Sequence, residues 1–228
     1  MGNKNWKNTR KQGCLELKKD KFYIFCEGEK TEPLYFEGFK NVIENNPVYK
    51  NTILLEIEPC ATDTLRVLKK AEEYVKRNHI IDGQIWCVYD KDSFPKDHFN
   101  AVEERIMLLN QQSSKLQYFS AWSNECIEIW FILHFDNYVS NNHRSEYINY
   151  LNKKLKSFGL NGYRKNSSDI FSILNNQGNP KLAIRYAKRL INENNHKPSA
   201  DIAPGTKVYD LVERLSQYLP ESLKNKYI

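Results

Sequence analysis

The feature that most constrains this chain is a repeated exchange of hydrophobic period along its first two thirds. Short runs rich in β-branched and aromatic residues alternate with longer segments whose apolar residues recur every three or four positions. Lys21–Cys26 (KFYIFC), Thr52–Ile57 (TILLEI), Gln84–Tyr89 (QIWCVY) and Leu116–Trp122 read as strands. Helical spacing fills the gaps: Leu34–Glu44 entered through Pro33, Thr64–Arg77 with Asp63 as its cap, a segment from Pro95 to about Asn110, and Asn124–Phe135. A chain that keeps switching between periods of 2 and 3.6 predicts an α/β fold, a mostly parallel sheet flanked by helices.

Beyond residue 137 the strand pattern stops. Ser145–Phe158, Ser168–Asn176, Pro180–Asn194 and Lys207–Leu219 all carry helical spacing, joined by Gly, Asn and Pro turns. Three regions are therefore expected: a basic flexible arm over 1–20, an α/β domain over 21–137 and a smaller helical C-terminal region over 138–228. With 228 residues, 40% apolar and 27% charged, the chain has enough apolar surface for a packed core. No run approaches the ~20 apolar residues of a membrane span, and no apolar run follows the N-terminal basic residues to suggest a secretory signal. Five cysteines are scattered without a CxxC pair. That argues against a zinc site or a disulfide framework and predicts a cytoplasmic protein.

Charge is unevenly spread. The overall +6 divides into +5 over residues 1–21, −7 over 22–143, +7 over 144–196 and +1 over 197–228. An acidic block between basic ones suits a polyanionic nucleic-acid substrate, with acids to hold metal and bases to hold phosphate. Solvated surface charge is the competing explanation for any single run.

In a parallel sheet, ligands bind beyond the carboxyl ends of the strands. The first strand runs into Glu27-Gly28-Glu29-Lys30-Thr31-Glu32, and the third into Asp90-Lys91-Asp92-Ser93. Both sets emerge on one edge. Glu27, Asp90 and Asp92 then form a cluster of hard oxygen donors suited to Mg²⁺ or Mn²⁺. Crowded carboxylates repel, and a divalent cation neutralises them, activates water and stabilises a phosphodiester transition state. The alternative is capping of the following helices.

The residues that carry this edge also carry a resemblance. Cys26-Glu27-Gly28-Glu29-Lys30-Thr31-Glu32-Pro33-x-Tyr35-Phe36, Tyr89-Asp90-Lys91-Asp92, Ser123-Asn124-x-x-x-Glu128-x-Trp130-x-x-x-His134-Phe135 and Gly205-Thr206-Lys207-Val208-Tyr209-x-Leu211-Val212 together resemble the RloB-like proteins, over about residues 20–215. The acidic Glu-Gly strand end and the later Asp-x-Asp are also similar to the Toprim fold of topoisomerases, primases and OLD-type nucleases. The resemblance implies a Toprim-like nuclease that works in phage defence or abortive infection, often beside an AAA- or ABC-type ATPase. Carried over residue by residue, it implies that Glu27 ligates metal or moves a proton and that Asp90 and Asp92 are metal ligands. It implies that Glu128 adds an acid to the catalytic and metal site; a capping or pairing role within its helix stays open. OLD-type nucleases place a second acid four residues after the first. This chain has Thr31 there and Glu32 five residues on, so Glu32 is carried as a metal candidate with its role open.

Other residues are weaker candidates. Lys30 and Lys91 flank the acids and are expected to touch phosphate, with solvated lysine as the alternative. Arg164 and Lys165, beside Tyr163, form a loop able to meet nucleic acid, and Lys181 and Arg185 lie on a basic helical face. His134 reads as a core histidine, and Ser123-Asn124 as the cap of the following helix. No GxxxxGK[ST] loop is present, so ATP hydrolysis by that route belongs to a partner. The expected activity is metal-dependent endonucleolytic cleavage of DNA or RNA, tRNA included. A non-catalytic nucleic-acid-binding subunit of a partner ATPase and a nucleotidyl transferase are the rivals. An oligomer is compatible with all three.

Overall fold

The computed structural model describes residues 20–228. The arm expected over 1–20 thus lies outside the described residues, except for Asp20, which already belongs to the first strand. The sheet contains β1 (Asp20–Cys26), β2 (Ile53–Pro59), β3 (Gly83–Asp90), β4 (Leu116–Asn124) and the two-residue β5 (Gly205–Thr206). Their order is β2-β1-β3-β4-β5, with the first four mutually parallel and β5 antiparallel to β4. The expected α/β architecture is therefore the one found.

Strand alternation splits the core between the two faces of the sheet. Phe22, Ile24 and Cys26 of β1 and Trp86 and Val88 of β3 join the core on one face. Tyr23, Phe25, Ile85, Cys87 and Tyr89 join the core on the other. A strand with both faces covered has to be apolar throughout, which is why KFYIFC and QIWCVY lack polar–apolar alternation. The second face is covered by α2 (Thr64–Arg77) and α3 (Lys96–Asn110). Asp63 caps α2 as expected, accepting a hydrogen bond from the backbone N–H of Arg66.

On the first face lie α1 (Thr31–Glu44), α4 (Glu128–Leu133), α5 (Arg144–Ser157), α6 (Ile170–Gln177), α7 (Pro180–Glu193) and α8 (Val208–Ser216); the short α9 (Glu221–Lys224) follows. All six residues of α4 are buried, with α5 and α7 against it. Trp130 donates to the Tyr35 hydroxyl at 2.9 Å, tying α4 to α1. Phe171 of α6 stands edge-on to Phe39 of α1, ring centroids 4.7 Å apart. Gly38 permits this approach, since a Cβ there would lie 2.3 Å from that of Phe171. Burial of each such ring contributes about 1.5–3 kcal/mol. The boundary at 137/138 marks a change of element type, while the packing runs through it: the C-terminal helices share one core with α1 and α4, and β5 extends the sheet.

The segment Asn124–Phe135 corrects the sequence reading. Ser123 and Asn124 do not cap a helix. Both belong to β4, where the Ser123 and Thr206 hydroxyls hydrogen-bond at 3.0 Å and the Asn124 amide donates to the Ala200 carbonyl at 3.1 Å. The helix begins four residues later, at Glu128, without a side-chain cap. No helix among the described residues is long and apolar enough to cross a membrane.

Candidate active site

The chain leaves β1 toward β2 on one side and later returns to place β3 on the other. The carboxyl ends of β1 and β3 therefore flank a topological switch point, where an open α/β sheet leaves a crevice. A cavity of about 530 Å³ opens there. Glu27, Glu32, Asp90, Asp92 and Glu128 all line it, so the five acids singled out in the sequence meet in one place.

Each acid is held differently. Glu27 directly follows β1, and its Oε2 accepts a hydrogen bond from the backbone N–H of Asp90 at 2.8 Å, across the two strand ends. Glu32, in the first turn of α1, is buried, with its carboxylate against Gly28. A Cβ on residue 28 would come within 2.4 Å of Glu32 Oε2, so a larger residue there would push the Glu32 carboxylate aside. Asp90 ends β3 and is buried. Asp92 adopts a left-handed backbone with φ of 42°, a region that Asp tolerates better than most residues. Its backbone N–H donates to the Glu125 carbonyl at 3.0 Å. Glu128, buried at the start of α4, accepts from the Tyr163 hydroxyl at 2.9 Å, and Lys165 Nζ stands 3.9 Å away.

The electrostatics are those of charges short of water. Burial pushes the Glu27 carboxyl up to about 8; the Asp90 N–H opposes this, and Glu32 and Asp92 reinforce it. Burial, then repulsion from Glu32, Glu128 and Glu27, raises Asp90 well above the usual carboxylate range. Glu32 is raised for the same leading reason. Among the described residues no three His, Cys, Asp or Glu side chains already stand in a metal-ligating arrangement. Glu27, Asp92 and Glu128 are each turned toward a different partner, the Asp90 N–H, Arg144 and Tyr163. The donor chemistry nonetheless fits a hard divalent cation: all-oxygen, desolvated and short of positive charge.

Arg144, the first residue of α5, was not legible in the sequence as part of this site. Its Nη1 donates to Asp92 Oδ2 at 2.8 Å, its Nη2 lies 2.8 Å from Asp92 Oδ1, and Asp90 Oδ2 is 4.0 Å away. The one hint was the switch to positive charge that begins at residue 144. Tyr163, read only as part of a loop, proves to be the hydrogen-bond donor to Glu128. That loop is pinned to α1 by the Thr31 hydroxyl, which donates to the Lys165 carbonyl at 3.0 Å.

The basic candidates divide. Lys30 and Lys165 line the cavity. Lys91 does not: it is buried, its ammonium donates to the carbonyls of Phe94 and Asp92 in its own turn, and it lines a neighbouring hollow. These local acceptors hold the ammonium away from the acidic cavity, where its phosphate contact was expected. Arg164 borders a separate hollow beside Gly159 and Gly162. Lys181 and Arg185 are exposed on α7 and do not line the acidic cavity. His134 is buried on Trp130, whose carbonyl it contacts through Nδ1 at 2.9 Å, and burial lowers it to about 4, as a neutral core histidine requires.

Comparison with curated proteins and with solved structures returns no match. A family model described as RloB-like protein matches residues 22–215, which include both acidic strand ends, Glu128, Arg144 and the β5 segment. The chain therefore belongs to the RloB-like family.

Proposed function

We propose that this chain is a Mg²⁺- or Mn²⁺-dependent endonuclease of the Toprim type, hydrolysing phosphodiester bonds in DNA or RNA as the effector of an anti-phage module. The observation that supports this most is the set of buried, mutually repelling carboxylates at the switch point of a parallel sheet. Structural acids are ordinarily paired with cations, whereas these raise one another's proton affinity. The resemblance of the two acidic strand ends to OLD-type nucleases points the same way.

Glu27, Asp90 and Asp92 would hold the cation, with Glu32 and Glu128 behind them. When bound, the cation supplies an activated water and offsets charge on the phosphate. The chain's own residues do the rest. Glu27 is fixed in place by the Asp90 N–H, which ties one strand end to the other. Lys30 and Lys165 at the cavity wall attract the backbone phosphate as point charges. Tyr163 holds Glu128 in position through its hydroxyl. An ATPase of the AAA or ABC type would supply any nucleotide dependence, and the reaction itself is expected to take place in the cytoplasm.

One observation favours a second reading, a non-catalytic nucleic-acid-binding subunit of such an ATPase. Glu27 and Glu128 already accept hydrogen bonds from the Asp90 N–H and the Tyr163 hydroxyl, and Arg144 engages Asp92. Incubating the purified chain with plasmid, single-stranded DNA and total tRNA separates the two. Mg²⁺ or Mn²⁺ should release shortened products, EDTA should stop the reaction, and no nucleoside triphosphate should be needed. Intact substrates in every cation-containing arm would overturn the nuclease reading in favour of the second. Products formed only with added nucleoside triphosphate would favour transfer chemistry.

A further inference from the structure

Arg144 is a cation seated on the acids proposed to hold a cation, and it is seated imperfectly. Only one arm of its fork makes an aligned hydrogen bond, Nη1 to Asp92 Oδ2 at 2.8 Å. Nη2 is as close to Oδ1, yet Oδ1 is buried without accepting an aligned hydrogen bond, and Nε is buried with no partner at all. A guanidinium that makes its full set of bonds with a carboxylate leaves no such orphans. Its backbone, by contrast, is well fixed. The Arg144 N–H donates to Glu125 Oε2 at 3.1 Å, and the Glu125 carbonyl accepts the N–H of Asp92. Glu125 thus locks the start of α5 to the Asp92 turn while leaving the side chain about one-third exposed in the cavity.

We propose that Arg144 is a substrate-phosphate ligand of this site, parked on Asp92 until a divalent cation takes its place. The inference rests on the nuclease reading above. The guanidinium stands 2.8 Å from each Asp92 oxygen, and its positive charge there repels an incoming divalent ion, so the two compete. Once displaced, the guanidinium remains anchored at the start of α5 within the same cavity, carrying a planar fork that matches two phosphate oxygens. It cannot act as acid or base, because guanidinium keeps its proton throughout the working pH range. Its contribution is to hold the phosphate and the charge that grows on it. The source of that phosphate is the nucleic-acid backbone that the nuclease reading already requires.

The test pairs a binding measurement with a kinetic one on the full chain. Calorimetric titration with Mn²⁺ alone, without substrate, should show Arg144→Ala binding at least about 5-fold more tightly than the parent, since its competitor is gone. Lys165→Ala, which removes another cavity cation that does not contact Asp92, should shift the affinity less. Cleavage by Arg144→Ala should nevertheless fall by about 10²–10³-fold, the scale for removing one donor to transition-state charge. Thermal melting checks that the variant folds. If it does not, Arg144→Lys decides, keeping the charge without the fork: it should also bind Mn²⁺ more tightly and cleave more slowly. Unchanged Mn²⁺ affinity, or unchanged cleavage, in the folded variant would overturn the role given to Arg144. Absence of Mn²⁺ binding by the parent, or binding that survives Asp90→Asn, would overturn the nuclease reading itself and this inference with it.

Discussion

Two partly buried glutamates, Glu27 and Glu103, carry the same carboxyl group and behave in opposite ways. Glu103 of α3 receives Lys207 Nζ at 2.6 Å, the Ser120 hydroxyl at 3.0 Å and the Trp122 indole N–H at 3.2 Å, and the Ser199 hydroxyl donates to its other oxygen. Burial alone would raise its carboxyl, but Lys207 and the hydrogen bonds outweigh that and hold it below the usual range. Glu27 has one backbone donor and faces other acids, and it rises to about 8. The Glu103 network is complete, and it fastens the segment leading into α8 to α3 and β4. Around Glu27 the acids outnumber the cations that line the cavity, Lys30, Arg144 and Lys165, and that deficit suits the cluster to bind an ion rather than to hold the fold together. The difference also sorts the late Gly205-Thr206-Lys207 motif: Thr206 and Lys207 serve β4 and Glu103, so their part is structural.

The comparison is broken most sharply by neutralising one acid of each kind. Glu27→Gln and Asp92→Asn should each lower metal-dependent cleavage by roughly 10³-fold or more, as expected for groups that act in the transition state. Their far-ultraviolet circular dichroism should be unchanged; Glu27→Gln should melt in EDTA no lower than the parent, because an amide there avoids burying a charge, whereas Asp92→Asn should melt somewhat lower because it leaves Arg144 without its carboxylate. Glu103→Gln should do the reverse. It leaves Lys207 without its carboxylate and costs about 1–3 kcal/mol of stability in urea unfolding. Cleavage well below its melting temperature should match the parent's. If Glu103→Gln abolished cleavage and Glu27→Gln only lowered stability, the two roles would have to be exchanged.

The pH dependence of stability gives a smaller effect with a defined sign. Folded Glu27 keeps its proton to about pH 8, against a reference value of 4.5. Between those values the native state binds more protons than the unfolded one, so this group makes stability fall as pH rises. His134 acts oppositely and lower down. It is neutral until about pH 4 when folded and 6.5 when not, so its burial costs stability as pH falls below 6.5. In EDTA, the parent's melting temperature should decline between pH 6.5 and 8, and Glu27→Gln should flatten that decline. A parent curve that rises across this interval would show that Glu27 is ionised and paired in the metal-free protein.

How much of this was legible in the sequence follows from the range of the interactions involved. The strands of β1 and β3 were readable because burial on both faces leaves an unbroken apolar run. The Asp63 cap was readable because the cap and the Arg66 amide it accepts from are three residues apart. Glu27, Asp90 and Asp92 were readable as a group because parallel pairing fixes which strand ends coincide. The failures came from distant partners. Ser123 and Asn124 looked like a helix cap until Thr206 and Ala200, about 80 residues later, extended β4 through them. Arg144 reaches Asp92 across 52 residues, and nothing near either position records the pairing. Lys91 failed for the opposite reason, since carbonyls within three residues captured its ammonium.

The basic residues give the finest division and the smallest expected effect. Lys165 lines the acidic cavity, its backbone pinned by Thr31, whereas Lys181 and Arg185 lie on α7 outside it. A lysine beside the acids acts on a phosphate held at one position, while a lysine on a remote helix adds only to the general field around the molecule. Lys165→Ala should therefore lower kcat/KM by about tenfold, near the ~1.4 kcal/mol that one well-placed charge contact supplies. Lys181→Ala and Arg185→Ala should each change it by less than about twofold, while shallowing the salt dependence of nucleic-acid binding. Equal losses for all three, measured at a fixed salt concentration, would mean that the nucleic acid crosses α7 on its way to the cavity and that the two basic regions form one track.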